Sequence, residues 1–282
     1  MKLRLLVIEG NAKQRRDADY ALGYCCGSDR YRTILKKMLP DAEIVVAFPA
    51  DGHLDVQLSD FSGVIIGGSG LNIPGHDDCP KVRHQIEFAT AVFESGLPFF
   101  GSCWGLQVAA VASGGQVGSS PRGREMGFAR KIQILDTGLA SPLFTGKPSV
   151  FDAPAIHVDE VTHLPSGGVV LAANNHSTVQ AASINYLNGE FWGVQYHPEF
   201  DVEHMANLTE LFDKMVLHEG FYENEATLKT HIRQLRDVHR DPGRRDLAWL
   251  LGLGQDILDD GMREREIRNW IDHQVMPHMA RP

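Results

Sequence analysis

Short, unbroken apolar runs alternate with longer amphipathic stretches along most of the chain. This is the rhythm of strands buried on both faces of a sheet, with helices laid against them. Residues 3–8, 43–48, 61–66 and 97–100 read as such strands. Residues 31–39 read as a short helix stopped by Pro40, and residues 80–95 place Val82, Ile86, Ala89 and Phe93 at helical spacing before a capping Gly96. Residues 9–27 are polar, with Lys13, Arg15 and Arg16 clustered, and read as a solvated loop. Residues 116–117, 127–135, 149–156 and 169–173 suit extended segments. Residues 179–184 and 191–196 form a predicted hairpin around Leu187-Asn188-Gly189, because Asn-Gly accepts the left-handed turn conformations.

Residues 202–217 read as one amphipathic helix closing the sheet domain, with His204 and His218 as surface or capping side chains. After Gly220 the chain becomes charged, helical in period and free of strand signals. The expected division is therefore an α/β domain over residues 1–219 and a helical C-terminal extension over 220–282. Two apolar stripes in that extension, Leu247/Leu250/Leu251 and Ile267/Trp270/Ile271, need a surface to bury against. Their own domain is the expected surface, and a docking surface for another subunit is the alternative.

Composition narrows the functional classes. A net charge of −9 over 282 residues argues against a sequence-independent nucleic-acid binder. The four cysteines show neither CxxC spacing nor a disulfide framework, and no metal-ligand spacing is visible. The opening apolar run is too short for a signal peptide and is broken by Glu9. No run approaches membrane-spanning length. A cytoplasmic protein is expected.

The chemistry concentrates at Gly101-Ser102-Cys103-Trp104-Gly105. An apolar strand, a Gly-flanked turn and a helix-forming run make the layout of a nucleophile elbow, which holds its apex residue out at the carboxyl end of a sheet. The apex here is Cys103, whose sulfur would sit at a helix N-terminus that favours the thiolate. A second strand ends in His197-Pro198-Glu199. Residues i and i+2 of an extended segment face the same side, so Glu199 can orient His197, and His197 can take the thiol proton. The Gly67-Gly68-Ser69-Gly70 turn after the third strand lacks a dinucleotide or P-loop fingerprint.

G-S-C-W-G-L-Q together with G-V-Q-Y-H-P-E resembles the class I, triad-type glutamine amidotransferases. The likeness is strongest to stand-alone members similar to the amidotransferase domain of GMP synthase. It covers roughly residues 1–215. The resemblance implies a three-layer α/β/α fold, flavodoxin-like, with a central mostly parallel sheet. It implies a catalytic triad of Cys103, His197 and Glu199. The oxyanion donors would be the amides of Gly68 and Trp104. Gln107 and the segment His157-Val158-Asp159 would contact the substrate, and Glu125 would be structural. The Asn175-His176-Ser177 stretch reads as a tight turn outside the site.

The implied reaction is hydrolysis of the glutamine side-chain amide through a cysteine thioester, with no metal or organic cofactor. This chain has no synthetase motif, so an acceptor site for the released ammonia would belong to a synthetase partner subunit or be absent. A homo-oligomer is left open. The alternatives are a γ-glutamyl peptidase acting on a γ-glutamyl compound with the same triad, and a non-catalytic binding subunit.

Overall fold

The structure, a computed structural model, describes residues 2–52, 54, 56–75 and 78–281. Its strands are β1 (Arg4–Ile8), β2 (Glu43–Ala47), β3 (Gly63–Ile66), β4 (Phe99–Ser102), β5 (Gln116–Ser119), β6 (Glu125–Ile134), β7 (Val150–His157), β8 (Asp159–His163), β9 (Gly168–Ala173), β10 (Ala181–Tyr186) and β11 (Gly189–Val194). Nine of them form one sheet in the order β2-β1-β3-β4-β11-β10-β9-β6-β7, and β5 pairs with β8 apart from it. From β2 to β11 every neighbour is parallel. Beyond β11 the ladders are antiparallel, with β10 and β6 running against the rest.

Strand alternation builds the layers. Leu5, Val7, Ile65 and Phe100 point to one face, where they meet Tyr31, Ile34 and Leu35 of α2 (Gly27–Met38). Leu6, Ile8, Val64, Ile66 and Phe99 point to the other. There they meet Val82, Ala89 and Phe93 of α3 (Pro80–Ser95) and Leu106 and Val108 of α4 (Trp104–Ala112). Burial on both faces explains the all-apolar strand sequences. Each such side chain contributes about 1.5–3 kcal/mol of transfer free energy. The sheet is thus sandwiched between helices, in the three-layer arrangement expected, and the region after Gly220 is helical.

Two stretches depart from expectation. The polar segment 9–27 contains a helix, α1 (Lys13–Ala21), in place of a solvated loop. Lys13 and Arg15 pair within the helix with Asp17 and Asp19, while Arg16 finds its partners outside it. Arg16 is buried, donates to the Asn11 carbonyl and to Asp51 (2.7 Å each), and lies 4.1 Å over the Phe48 ring. Charge pattern alone does not reveal such partners. The segment 202–217 is two helices, Val202–Leu211 and Asp213–His218, broken at Phe212.

The two C-terminal stripes part ways. Ile267, Trp270 and Ile271 are fully buried in the same core as Leu5 and Val7, with the Trp270 ring 6.1 Å from Phe100. Leu247 and Leu251 pack against a third cluster that includes Val202, Ala206 and Leu235. Leu250 and its neighbour Trp249 stay exposed, Trp249 by 84%. Among the described residues no helix is long and apolar enough to cross a membrane.

Candidate active site

The carboxyl ends of the parallel strands converge on a cavity of about 310 Å³. Asn11 follows β1, Gly68 follows β3, Cys103 follows β4 and His197 follows β11, and all four line it. The chain reverses direction of travel between β1 and β3, which opens a crevice at strand ends where α/β sheets hold ligands.

Cys103 sits at the bend between β4 and α4 with φ 50° and ψ −101°. This conformation is unfavourable for a residue with a side chain, costing on the order of 1–3 kcal/mol. Close packing holds it there. A Cβ on Gly105 would fall 2.1 Å from the Ile66 carbonyl oxygen, so only glycine lets α4 start this near β3. The Cys103 amide donates to the Val194 carbonyl (2.8 Å), which ties the bend to the strand that delivers His197. The sulfur is buried and lies 3.7 Å from the Ile156 carbonyl oxygen.

His197 is buried, and its Nδ1 donates to Glu199 Oε1 (2.7 Å). Its Nε2, also buried, has no hydrogen-bond partner. Burial works against the imidazolium. The charges of Glu199 and then Cys103 outweigh it and raise the His197 pKa to about 10. Glu199 is fully buried and well supported. Ser102 Oγ donates to its Oε1 (2.9 Å), and the Tyr31 hydroxyl lies 3.2 Å from its Oε2 and 2.8 Å from Ser102 Oγ. Burial and Glu199 hold the Tyr31 pKa well above its ordinary value, so it stays a donor. Cys103, His197 and Glu199 are therefore brought together at one site. Neither Tyr31 nor Ser102 was legible as part of it, because their roles depend on how α2 packs beneath the sheet.

Gly68 also lines the cavity, with its backbone against His197. A Cβ there would sit 2.6 Å from the imidazole Cε1. Trp104 opens α4, so its amide is one of the donors a helix start leaves unpaired. Its indole Nε1 donates to buried Gln85 (2.7 Å), whose own amide donates to the Gly10 carbonyl. The turn bearing Gly68 is pinned by Asn11, whose Oδ1 accepts from the Gly70 amide (2.8 Å).

Gln107, His157, Val158 and Asp159 form a further wall of the cavity. Gln107 Nε2 donates to the Asp159 carbonyl (2.8 Å), and the Asp159 carboxylate accepts from Asn72 (2.7 Å) and Ser119 (2.8 Å). His157 is buried and held at both nitrogens, by Glu125 (2.9 Å) and by the Asp159 carbonyl (3.1 Å). Glu125 also accepts from Asn174 and Gln180 (2.7 Å each). Although burial opposes its charge, these contacts hold its carboxyl below the usual range. The 174–177 turn forms as expected, with Asn174 Oδ1 accepting from the His176 and Ser177 amides, and stands behind His157.

His204 is not the surface side chain expected. It is buried in the cavity wall. Phe200 stacks on His197 at 4.1 Å, and His204 packs on Phe200 at 4.0 Å. Burial, aided by Arg30, lowers the His204 pKa to about 4, so the ring is neutral at ordinary pH. The fold of residues 197–204 back over the cavity creates this stack, and no sequence periodicity reports it. His218 is exposed, at the end of its helix. Among the described residues no group of three or more His, Cys, Asp or Glu side chains is arranged to hold a metal ion.

Comparison with known proteins adds the family context. The family model for glutamine amidotransferase class-I matches residues 33–216. A gamma-glutamyl-L-1-hydroxyisopropylamide hydrolase from Pseudomonas sp is 34% identical, with the match covering 99% of this chain and 96% of that one. A glutamine-hydrolysing GMP synthase from Lactococcus lactis subsp. cremoris is 32% identical over 65% of this chain, which spans only 34% of that relative. A glutamine amidotransferase from Thermotoga maritima shares the fold, with a TM-score of 0.62 at 16% identity over 98% of this chain and 99% of that one. With a strained cysteine at the strand–helix bend, a buried His–Glu pair beside it and a family match over most of its length, this chain belongs to the class-I glutamine amidotransferase family.

Proposed function

We propose that this protein is a cysteine hydrolase of γ-glutamyl amides whose leaving group is a carbon-bearing amine. The observation that carries the choice is the end-to-end similarity to a γ-glutamyl amide hydrolase, which includes the region after residue 216. The Cys103 thiolate attacks the γ-carbonyl carbon. The amides of Gly68 and Trp104 hold the developing oxyanion, each worth about 3 kcal/mol. His197, as imidazolium, gives its proton to the departing amine nitrogen, and a γ-glutamyl thioester remains on Cys103. Water then attacks the thioester carbonyl while His197 takes its proton. The carbon–sulfur bond breaks, releasing glutamate and restoring the thiolate–imidazolium pair. Glu199 fixes the His197 tautomer and stabilises the imidazolium throughout. Gln107, His157, Val158 and Asp159 shape the wall that receives the γ-glutamyl head.

A second reading keeps the same chemistry with glutamine as substrate and ammonia passed to a synthetase partner. It is favoured by the match to the amidotransferase part of GMP synthase. The deciding experiment incubates the protein with γ-glutamyl ethylamide and with glutamine, and measures ethylamine against ammonia. Faster ethylamine release supports the hydrolase. Ammonia as the only rapid product supports the second reading. Cys103→Ala should abolish both.

A further inference from the structure

We infer that the part of the cavity beyond His197 is a subsite for the leaving amine, one that accepts a short uncharged aliphatic chain and disfavours one carrying a free carboxylate. The inference rests on the γ-glutamyl amide reading and names the substrate class within it. The leaving nitrogen must lie at His197 Nε2 to receive its proton, so whatever the nitrogen carries extends past that ring. There the His197–Phe200–His204 stack continues the surface, with near-parallel planes (8°) between the first two rings. Leu208, Phe212 and Met215, from the helices Val202–Leu211 and Asp213–His218 and the break between them, line the same cavity. A chain leaving His197 thus runs along the edges of these stacked rings toward three apolar side chains.

The charges on this lining sharpen the inference. Its two arginines are already engaged. Arg15 Nε lies 2.9 Å from the Asp19 carboxylate, with its guanidinium over the Phe212 ring at 4.8 Å. Arg124 grips Glu219 through two nitrogens, at 3.0 and 3.2 Å. A carboxylate on the leaving group would have to displace an existing partner from one of them, and it would meet the charge of Asp19. An amino-acid leaving group pays that penalty, whereas an alkylamine buries only methylenes, each worth about fourfold in transition-state affinity.

The test measures kcat/KM for glutamine, γ-glutamyl methylamide, ethylamide and propylamide, and γ-glutamylglycine. Expected is a rise of about fourfold per carbon from methyl to propyl, and a rate for γ-glutamylglycine at least about tenfold below ethylamide. Phe212→Ala should lower the propylamide-to-methylamide ratio. Leu208→Arg, which adds an unpaired cation, should raise γ-glutamylglycine relative to ethylamide. Flat dependence on chain length, or γ-glutamylglycine processed as well as ethylamide, overturns the subsite while leaving the hydrolase reading standing. If no alkylamide is turned over, the hydrolase reading fails. Calorimetric binding to Cys103→Ala then judges the subsite alone. Tighter binding of the propylamide than of glutamine retains it, and equal, weaker or absent binding removes it.

Discussion

Two buried histidine–glutamate pairs border the cavity, and they differ in what the second ring nitrogen does. His197 donates from Nδ1 to Glu199, and its Nε2 is left without a hydrogen-bond partner next to Cys103. His157 donates to Glu125, and its other nitrogen is taken by the Asp159 carbonyl. An imidazole can relay a proton only through a nitrogen free to release it. On the proposed mechanism the first pair is therefore the one equipped for chemistry, and the second is a strut that shapes the wall. Their origins differ as well. Glu199 lies two residues from His197, so local extended geometry makes that pair. Glu125 and His157 are register partners across the β6–β7 ladder, so only sheet formation makes theirs.

The largest expected effect separates the pairs by rate. Cys103→Ala and His197→Gln should each lower kcat for γ-glutamyl amide hydrolysis by about 10⁴-fold or more. His157→Gln should leave kcat within about tenfold and act mainly on KM, as steady-state kinetics will report. Comparable kcat losses at both histidines would falsify the distinction. Next, Glu199→Gln should lower kcat by about 10²–10⁴-fold, because the amide can support the wrong imidazole tautomer. Glu125→Gln should instead act on stability, by about 1–3 kcal/mol in denaturant unfolding, since it weakens a buried, multiply hydrogen-bonded carboxylate.

A further effect is on pH dependence. The folded-state pKa of His197 is raised from 6.5 to about 10. The folded protein keeps a proton that the unfolded chain releases above about pH 6.5. The stabilisation is whole below that pH and fades as pH rises through about 10. The stability gap between wild type and His197→Gln should therefore narrow from pH 6.5 to 10 in unfolding titrations. A gap that widens with pH contradicts the assigned charge state.

What was legible came from short-range patterns. The apolar runs located the buried strands, because a strand covered on both faces has no polar side to show. The glycine-flanked Cys103 and the His197-x-Glu199 spacing were readable because each geometry is set within a few residues. The helix α1 was missed, since Arg16 is buried against partners that sequence does not announce, Asp51 and Phe48. His204 was read as a surface or capping residue, since its burial depends on Phe200 lying between it and His197. The Ile267/Trp270/Ile271 stripe announced that the tail packs on its own domain, but the tail's polar anchor escaped notice. Glu266 is fully buried, accepting from Tyr196 (2.6 Å) and paired with Lys147 (2.8 Å), so residues far along the chain brace the strand end next to His197.

The order of residues, taken alone, determined which cysteine stands at a sharp bend, which histidine has a carboxylate two places away and which segments must be hidden from water. Those properties follow from backbone geometry and side-chain period, which act over a turn or a strand. Folding in three dimensions decided which nitrogen stays idle, which cations are neutralised and which wall the apolar side chains form. Those depend on burial and on partners tens to hundreds of positions apart, and such proximity exists only once the sheet and its helices have packed.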